Sequence, residues 1–313
     1  MNAARVLLPL TFLFACSAPK IEIPVAEEPT SQATSLLGDE LEPPDLKAER
    51  QAAMEAELED ALAKLNKKPK GEMEHVWVGR RLAYLGRYRE ALEVYDRGLE
   101  LHPKSYRLLR HRGHRWITLR EFDRAIGDLG LAAKLIQGVK DEFEPDGQPN
   151  ERNLPTSTTH SNIYYHLGLA YYLQGNYERA LSTFRECVKY SRASDDMTVA
   201  NAYWLHQTLH RLDRRDDLRL LLRSIRPDMD IIENHAYHDL LVYFKGEFTG
   251  SNLLEGVAKD DVAYPTIAYG LAAWTFNSGR KQEGREQFEH IVAETNWSAF
   301  GHIAAEAELA RGI

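Results

Sequence analysis

Apolar residues recur three and four positions apart over most of the chain, the period of an amphipathic helix rather than a strand. The first such run, LKAERQAAMEAELEDALAKL from Leu46 to Leu65, is rich in Ala, Glu and Leu and predicts a leading helix within residues 46–71. The pattern then acquires a longer period. The stretch VGRRLAYLGRYREALEVYDRGLELHP sets out Gly79, Tyr88, Ala91, Tyr95 and Pro103. Thirty-four residues further on, the same slots hold Gly113, Phe122, Ala125, Leu129 and Gln137. A third copy, LGLAYYLQGNYERALSTFREC, carries Gly168, Tyr177, Ala180, Phe184 and Cys187. Each copy reads as two helices joined by a tight turn. One such pair cannot bury its apolar face alone, so neighbouring copies must stack.

The period is interrupted once. Gly113 and Gly168 are 55 residues apart, 21 more than one repeat, so residues 140–160 are an insertion between the second and third copies. Its stretch PDGQPNERNLPTSTTH holds three prolines, the turn former Asp146-Gly147, and a run of hydroxyls ending in His160. That chemistry predicts an ordered loop whose end caps the helix beginning near Ser161. Insertions in repeat arrays emerge on one face, often the binding face, so the loop is expected to serve recognition.

Small residues at repeat positions 8, 20 and 27, with large ones at 11, 17 and 24, resemble the tetratricopeptide repeat in residues 72–105, 106–139 and 161–194. Position 27 is held by Gly98, Ala132 and Cys187. Residues 195–313 keep helical hairpins in degenerate form and end in WSAFGHIAAEAELARG, which reads as a capping helix. The resemblance implies an all-α right-handed superhelix of helical hairpins acting as a non-catalytic protein-interaction scaffold. It also implies which positions line the concave groove. These are Arg80 and Tyr84 in the first repeat, Arg107, Arg110 and His114 in the second, and Asn162, Tyr165 and Tyr172 in the third. Tyr203, Gln207 and His210 follow in the next hairpin. A basic entry leading into an aromatic, amide-bearing track suits an extended acidic peptide. The family's two-carboxylate clamp for chaperone tails is not reproduced, because Val76 stands in place of its Lys.

The N-terminus carries a different signal. MNAARVLLPLTFLFAC has one positive charge, Arg5, followed by an apolar run from Val6 to Ala15 that is too short to span a bilayer but fits a secretion signal. Leu13, Ala15 and Cys16 resemble the lipobox of bacterial lipoproteins, which implies removal of residues 1–15 and lipidation of Cys16. The bulkier Phe14 departs from that pattern, and a plain secretory signal with an incidental cysteine, or an unprocessed N-terminus, is the other reading. Ser17 rather than Asp after the cysteine points, in Gram-negative lipoproteins, to the outer membrane facing the periplasm. Residues 16–45 hold prolines, acidic residues and Ser/Thr without apolar period, and read as a flexible tether reaching roughly 30 Å. With Cys16 lipidated, Cys187 has no partner and reads as a small core residue.

Composition narrows the function classes. The chain has 313 residues, 43% hydrophobic and 27% charged, with a formal net charge of -8. This is globular composition, and its acidity argues against nucleic acid as a partner. HExxH, GxSxG and a Gly-rich phosphate loop are all absent, so no enzyme, cofactor or metal is expected. Two histidine pairs, His206 with His210 and His235 with His238, have spacings compatible with metal ligation. They define the rival reading, a metal-dependent enzyme or binder near the insert. A glycan binder stacking sugars on Trp77, Trp204 and the tyrosines is a further alternative.

Overall fold

At Gly79 an added Cβ would lie 2.2 Å from the ring of Tyr95. At Gly113 it would lie 2.6 Å from Leu129, and at Gly168 2.5 Å from Phe184. Each glycine thus receives the large residue sixteen positions later, and only a missing side chain lets the two helices come so close. This contact sets the hairpin geometry of the repeats. In the computed structural model, which describes residues 31–247, 253–257 and 260–312, the hairpins are α2 (Glu72–Tyr84) with α3 (Tyr88–Leu101), α4 (Tyr106–Thr118) with α5 (Phe122–Leu135), and α6 (Thr159–Leu173) with α7 (Tyr177–Ser191). The leading helix α1 (Ala48–Lys67) packs on α2. After the repeats come α8 (Asp195–Arg211), α9 (Arg215–Arg223), α10 (His235–Lys245), α11 (Ala263–Asn277), α12 (Lys281–Glu294) and α13 (Phe300–Ala310). The architecture is the expected all-α superhelix of stacked hairpins. Among the described residues no helix is long and apolar enough to cross a membrane.

The buried core runs continuously along the stack. Ala91, Ala125 and Ala180 are fully buried where successive helices touch, and so is Cys187, whose thiol donates to the Ser161 carbonyl at 3.4 Å. Burial pushes the Cys187 thiol far above its ordinary pKa, so it is an inert packing group. The hairpin turns use one residue with positive φ, two positions after the first helix ends: Gly86 (76°), Arg120 (67°), Gly175 (84°), Asp213 (50°) and Gly279 (91°). Arg120 and Asp213 depart from the glycine pattern, and each bears a left-handed conformation costing about 1 kcal/mol.

The reason for Arg120 lies at the other end of the chain. Its Nε and Nη2 donate to the two carboxylate oxygens of Glu306 in α13, at 3.1 and 2.6 Å, and Nη2 also donates to the Trp297 carbonyl at 2.9 Å. Glu306 is fully buried and accepts from the Leu36 backbone N–H at 2.6 Å. Two residues on, buried Glu308 meets Arg211 at 2.5 Å, Arg311 at 2.8 Å and the Tyr269 hydroxyl at 3.1 Å. The solenoid therefore curls back until its last helix touches its middle repeats.

The segment expected to be a flexible tether is corrected over residues 31–45. Ala33–Thr34 and Glu40–Leu41 form a two-stranded antiparallel hairpin, β1 and β2, with Ala33 opposite Leu41. Arg89 Nε donates to the Gln32 carbonyl at 2.8 Å, and Trp297 Nε1 donates to the Glu42 carbonyl at 2.7 Å. Ala33 and Leu41 are buried, so apolar contact and these ties hold the segment where composition alone suggested coil. The secretion signal, Cys16 and the tether as far as residue 30 lie outside the described residues.

Two outcomes follow for the closure. Burial disfavours the Glu306 carboxylate, but hydrogen bonds from His302 and Arg120 outweigh it and hold its pKa down to about 2. A depressed carboxylate contributes stability above its unfolded pKa, so roughly 3 kcal/mol should be lost as pH falls from about 4.5 to 2. Thermal melts of wild type and Glu306→Gln across that range check this, since only the wild type should show this component. Arg120→Ala removes the guanidinium from buried Glu306, leaving only His302 and the Leu36 amide beside it, and should destabilise by about 3–5 kcal/mol in denaturant titrations. Arg124→Ala, at an exposed pair, should change stability by less than about 1 kcal/mol.

Candidate functional site: the enclosed inner face

The first helix of each hairpin, α2, α4, α6 and α8, contributes to the inner face of the curve. Three of the predicted cations converge there. What they meet is the insert. Its residues 142–144 and 157–159 pair with each other: Glu144 N–H donates to the Ser157 carbonyl and Thr159 N–H to the Glu142 carbonyl, both at 2.9 Å, with Phe143 opposite Thr158. The period of two sends Glu142 and Glu144 toward the helices and leaves Phe143 outside, 49% exposed.

Glu142 pairs with Arg107. Glu144 lies 3.1 Å from Arg110 Nη2, accepts from Asn162 Nδ2 at 3.1 Å, and stands 3.5 Å from His111 Nε2. Beyond it the backbone takes over. Arg80 Nη1 donates to the Pro145 carbonyl at 2.7 Å, and Arg81 Nη1 to the Gly147 carbonyl at 2.8 Å. Gly147 packs closely here: an added Cβ would lie 1.9 Å from the Tyr84 hydroxyl, so the Tyr84 and Arg80 side chains would have to shift. The returning leg is tied to the α9–α10 connection: Glu233 accepts from Asn150 Nδ2 at 2.7 Å and Thr156 Oγ1 at 2.9 Å, and Arg152 pairs with Asp230 at 2.7 Å. Thr158 and Ser161 then form a reciprocal capping box at the start of α6.

Beside the insert tip an open chamber of about 660 Å³ remains. Tyr84, Tyr88, His114, Arg115, Gln148 and Phe300 are among its walls. The Arg115 guanidinium sits over the Tyr88 ring at 5.5 Å and forms no ion pair among the described residues. Phe300, at the start of α13, packs 5.3 Å from His114 and 5.8 Å from His166. It borders a smaller adjoining cavity of about 380 Å³, lined in part by Asn162, Tyr165 and Tyr237. Burial, reinforced by Arg110 and Arg115, pushes His111, His114 and His166 well below the ordinary histidine pKa, so all three are neutral near pH 7. A depression of about 680 Å³ between α1 and α2 is a weaker candidate, because its charges are spent on each other: Arg81 with Glu57 at 2.7 Å, Lys64 with Asp60 at 2.5 Å.

The predicted groove residues thus divide into three groups. Arg80, Arg107, Arg110 and Asn162 come together around the insert. Tyr84 and His114 line the chamber, and Tyr165 the smaller cavity. For Tyr172, Tyr203 and Gln207 the expectation of an open groove is corrected: they are 1%, 0% and 2% exposed. The Tyr172 hydroxyl bonds that of Tyr269 in α11 at 2.6 Å, and Tyr203 packs 4.8 Å from the Tyr237 ring in α10. The returning helices have made this stretch of inner face into core. His210 is half-buried against Trp274 at 5.4 Å, beside His206. His206 stacks on Phe244 at 4.5 Å, and burial with His210 nearby lowers its pKa to about 3. His238 Nε2 bonds the Arg226 carbonyl at 2.8 Å. Among the described residues no three metal-ligating side chains gather to hold an ion. Trp204 is 1% exposed, which removes it as a sugar-stacking surface. Sequence reasoning missed Arg115 and Phe300. Arg115 is next to His114 but outside the inner positions implied by the repeat, and Phe300 reaches the inner face only through chain closure.

Tetratricopeptide repeat profiles match residues 79–140 and 161–194. No curated protein matches the chain. Among solved structures, a tetratricopeptide repeat protein from Parabacteroides merdae is 16% identical, with 83% of this chain and 94% of that chain covered and a TM-score of 0.46. The tetratricopeptide protein YrrB, described as having an unusual peptide-binding site, is 11% identical over 75% of this chain and 92% of its own, with a TM-score of 0.43. A thermophilic tetratricopeptide protein of Thermus thermophilus is 18% identical over 71% of this chain and 91% of its own, with a TM-score of 0.39. Residues 79–140 and 161–194 are tetratricopeptide repeats, set in a longer array of helical hairpins.

Proposed function

We propose that this chain is a non-catalytic interaction scaffold, held at a membrane through a lipidated Cys16, that takes a segment of a partner protein into the chamber on its inner face. The observation that carries the reading is Arg115. Of the inner-face cations, Arg80, Arg107 and Arg110 are engaged by the insert and Arg120 by Glu306, whereas Arg115 lines the chamber without an ionic partner among the described residues. Tyr84, Gln148 and Ser298 offer hydrogen-bonding groups in the same chamber, Arg50 adds a second cation, Asp45, Asp260 and Asp261 place acidic groups on other walls, and Phe300 with exposed Val262 offers an apolar wall. That combination fits a partner segment with a carboxylate, on a side chain or at a chain end, next to an apolar residue. A charge-assisted bond to Arg115 would contribute about 1.5–3 kcal/mol where water is excluded. The tetratricopeptide repeats support a scaffold in general. Anchoring rests on the resemblance of Leu13, Ala15 and Cys16 to a lipobox.

A photo-crosslinking residue at Gln148 in the intact cell envelope tests the chamber. It should give one discrete adduct, and Arg115→Glu should cut the yield about tenfold or more with helicity unchanged. No adduct, or an equal yield in the folded variant, contradicts the chamber as the partner site. For the anchor, metabolic labelling with a fatty-acid analogue should mark the wild type and not Cys16→Ser. Equal labelling of the two would exclude lipidation at that cysteine.

A further inference from the structure

The insert treats the inner face as a bound peptide would. Residues 142–147 present, in order, a carboxylate to Arg107, a carboxylate to Arg110 and Asn162, a carbonyl to Arg80 and a carbonyl to Arg81. The contacts therefore pass from the second and third repeats to the first. They are polar throughout. Phe143, the residue an apolar plug would bury, stays 49% exposed, and Leu154 on the return leg is 52% exposed. The Arg107–Glu142 pair is open to solvent, with side-chain exposures of 28% and 55%, whereas the Arg110–Glu144 pair beside it is largely buried, at 10% and 11%. Around the tip, Gln148, Pro149 and residues 151–155 are exposed. A segment held mainly by polar contacts, with few buried apolar side chains, opens at a lower free energy than the helices around it.

We propose that residues Glu142–Gly147 are a ligand bound in cis, and that an extended acidic segment of another polypeptide displaces them from the Arg80–Arg81–Arg107–Arg110 row. This deepens the reading of the inner face as a binding surface, and rests on it. The covalent connection gives the insert an effective concentration in the millimolar range, so a competing segment gains the row only when its own affinity or local concentration is comparable. The insert is a selectivity gate: it admits acidic extended segments and keeps the arginines engaged until one arrives. Displacement also removes Gly147 from beside Tyr84 and Gln148 from the chamber wall, which widens the chamber lined by Arg115.

The test uses a fluorescent synthetic copy of residues 140–148 and the full chain. Anisotropy titrations compare wild type, Glu142→Gln with Glu144→Gln, and that pair combined with Arg107→Glu and Arg110→Glu. The glutamine variant weakens the cis contact while leaving the row intact. It should bind the peptide about tenfold or more tightly than wild type, with affinity falling as salt rises. The added arginine reversals should abolish that binding. In wild type, saturating peptide should speed hydrogen exchange at the Glu144 and Thr159 amides, which bond across the insert hairpin. Equal affinity of wild type and glutamine variant, or exchange unchanged by peptide, overturns the proposal. So does unfolding of the glutamine variant in circular dichroism, since Glu142 and Glu144 would then be part of the structure's framework. Because the probe is a copy of the insert, these results do not depend on the chamber having the partner proposed above.

Discussion

The buried carboxylate of Glu306 organises the molecule. A stack of helical hairpins has two free ends and no intrinsic reason to close. Here one side chain of the last helix receives the turn of the second repeat through Arg120, the N-terminal hairpin through the Leu36 amide, and His302 of its own helix. A charge taken out of water is tolerated only when every lone pair finds a donor, and the arrangement supplies them from three parts of the chain. The left-handed backbone at Arg120, where the other repeats use glycine, is the local strain that this closure offsets. Glu308 forms a second buried ion-pair cluster with Arg211 and Arg311.

Closure decides what the inner face is. An open superhelix would present the aromatic track of α6 and α8 to solvent. Once α11 and α13 return, Tyr172, Tyr203 and Trp204 become a packed aromatic core with Tyr269, and Phe300 is delivered between His114 and Tyr165. What remains accessible is the first-repeat end, where the insert lies across the arginines and the chamber opens beside it. The positive charge of Arg107 and Arg110 is what holds the insert's two glutamates inward.

Much of this was legible in the sequence, for reasons visible in particular residues. The repeats were readable because Gly79, Gly113 and Gly168 must each face a large partner at fixed spacing, a steric demand that the alphabet records. The insert's position was readable by subtraction, and the basic character of the row it covers was readable from Arg80, Arg107 and Arg110. Its occupant was not, because the sequence describes the preference of a surface without saying which segment of the chain folds onto it. Closure was not readable either. Glu306 and Glu308 sit in AAEAELA, which has the composition of an ordinary exposed helix, and their burial depends on arginines 186 and 97 residues away. The segment 31–45 misled for a related reason: its ties are to backbone carbonyls and amides, which leave no compositional trace.

The most direct test of closure is small-angle X-ray scattering of residues 31–313 at neutral pH, with Arg120→Ala alongside. If the returning helices hold, wild type should scatter as a compact particle, with a radius of gyration close to the roughly 19 Å of a folded domain of this length, and the variant should be measurably larger. A wild-type profile of an elongated, open superhelix, indistinguishable from the variant, would contradict the return of the last helix and with it the enclosed inner face.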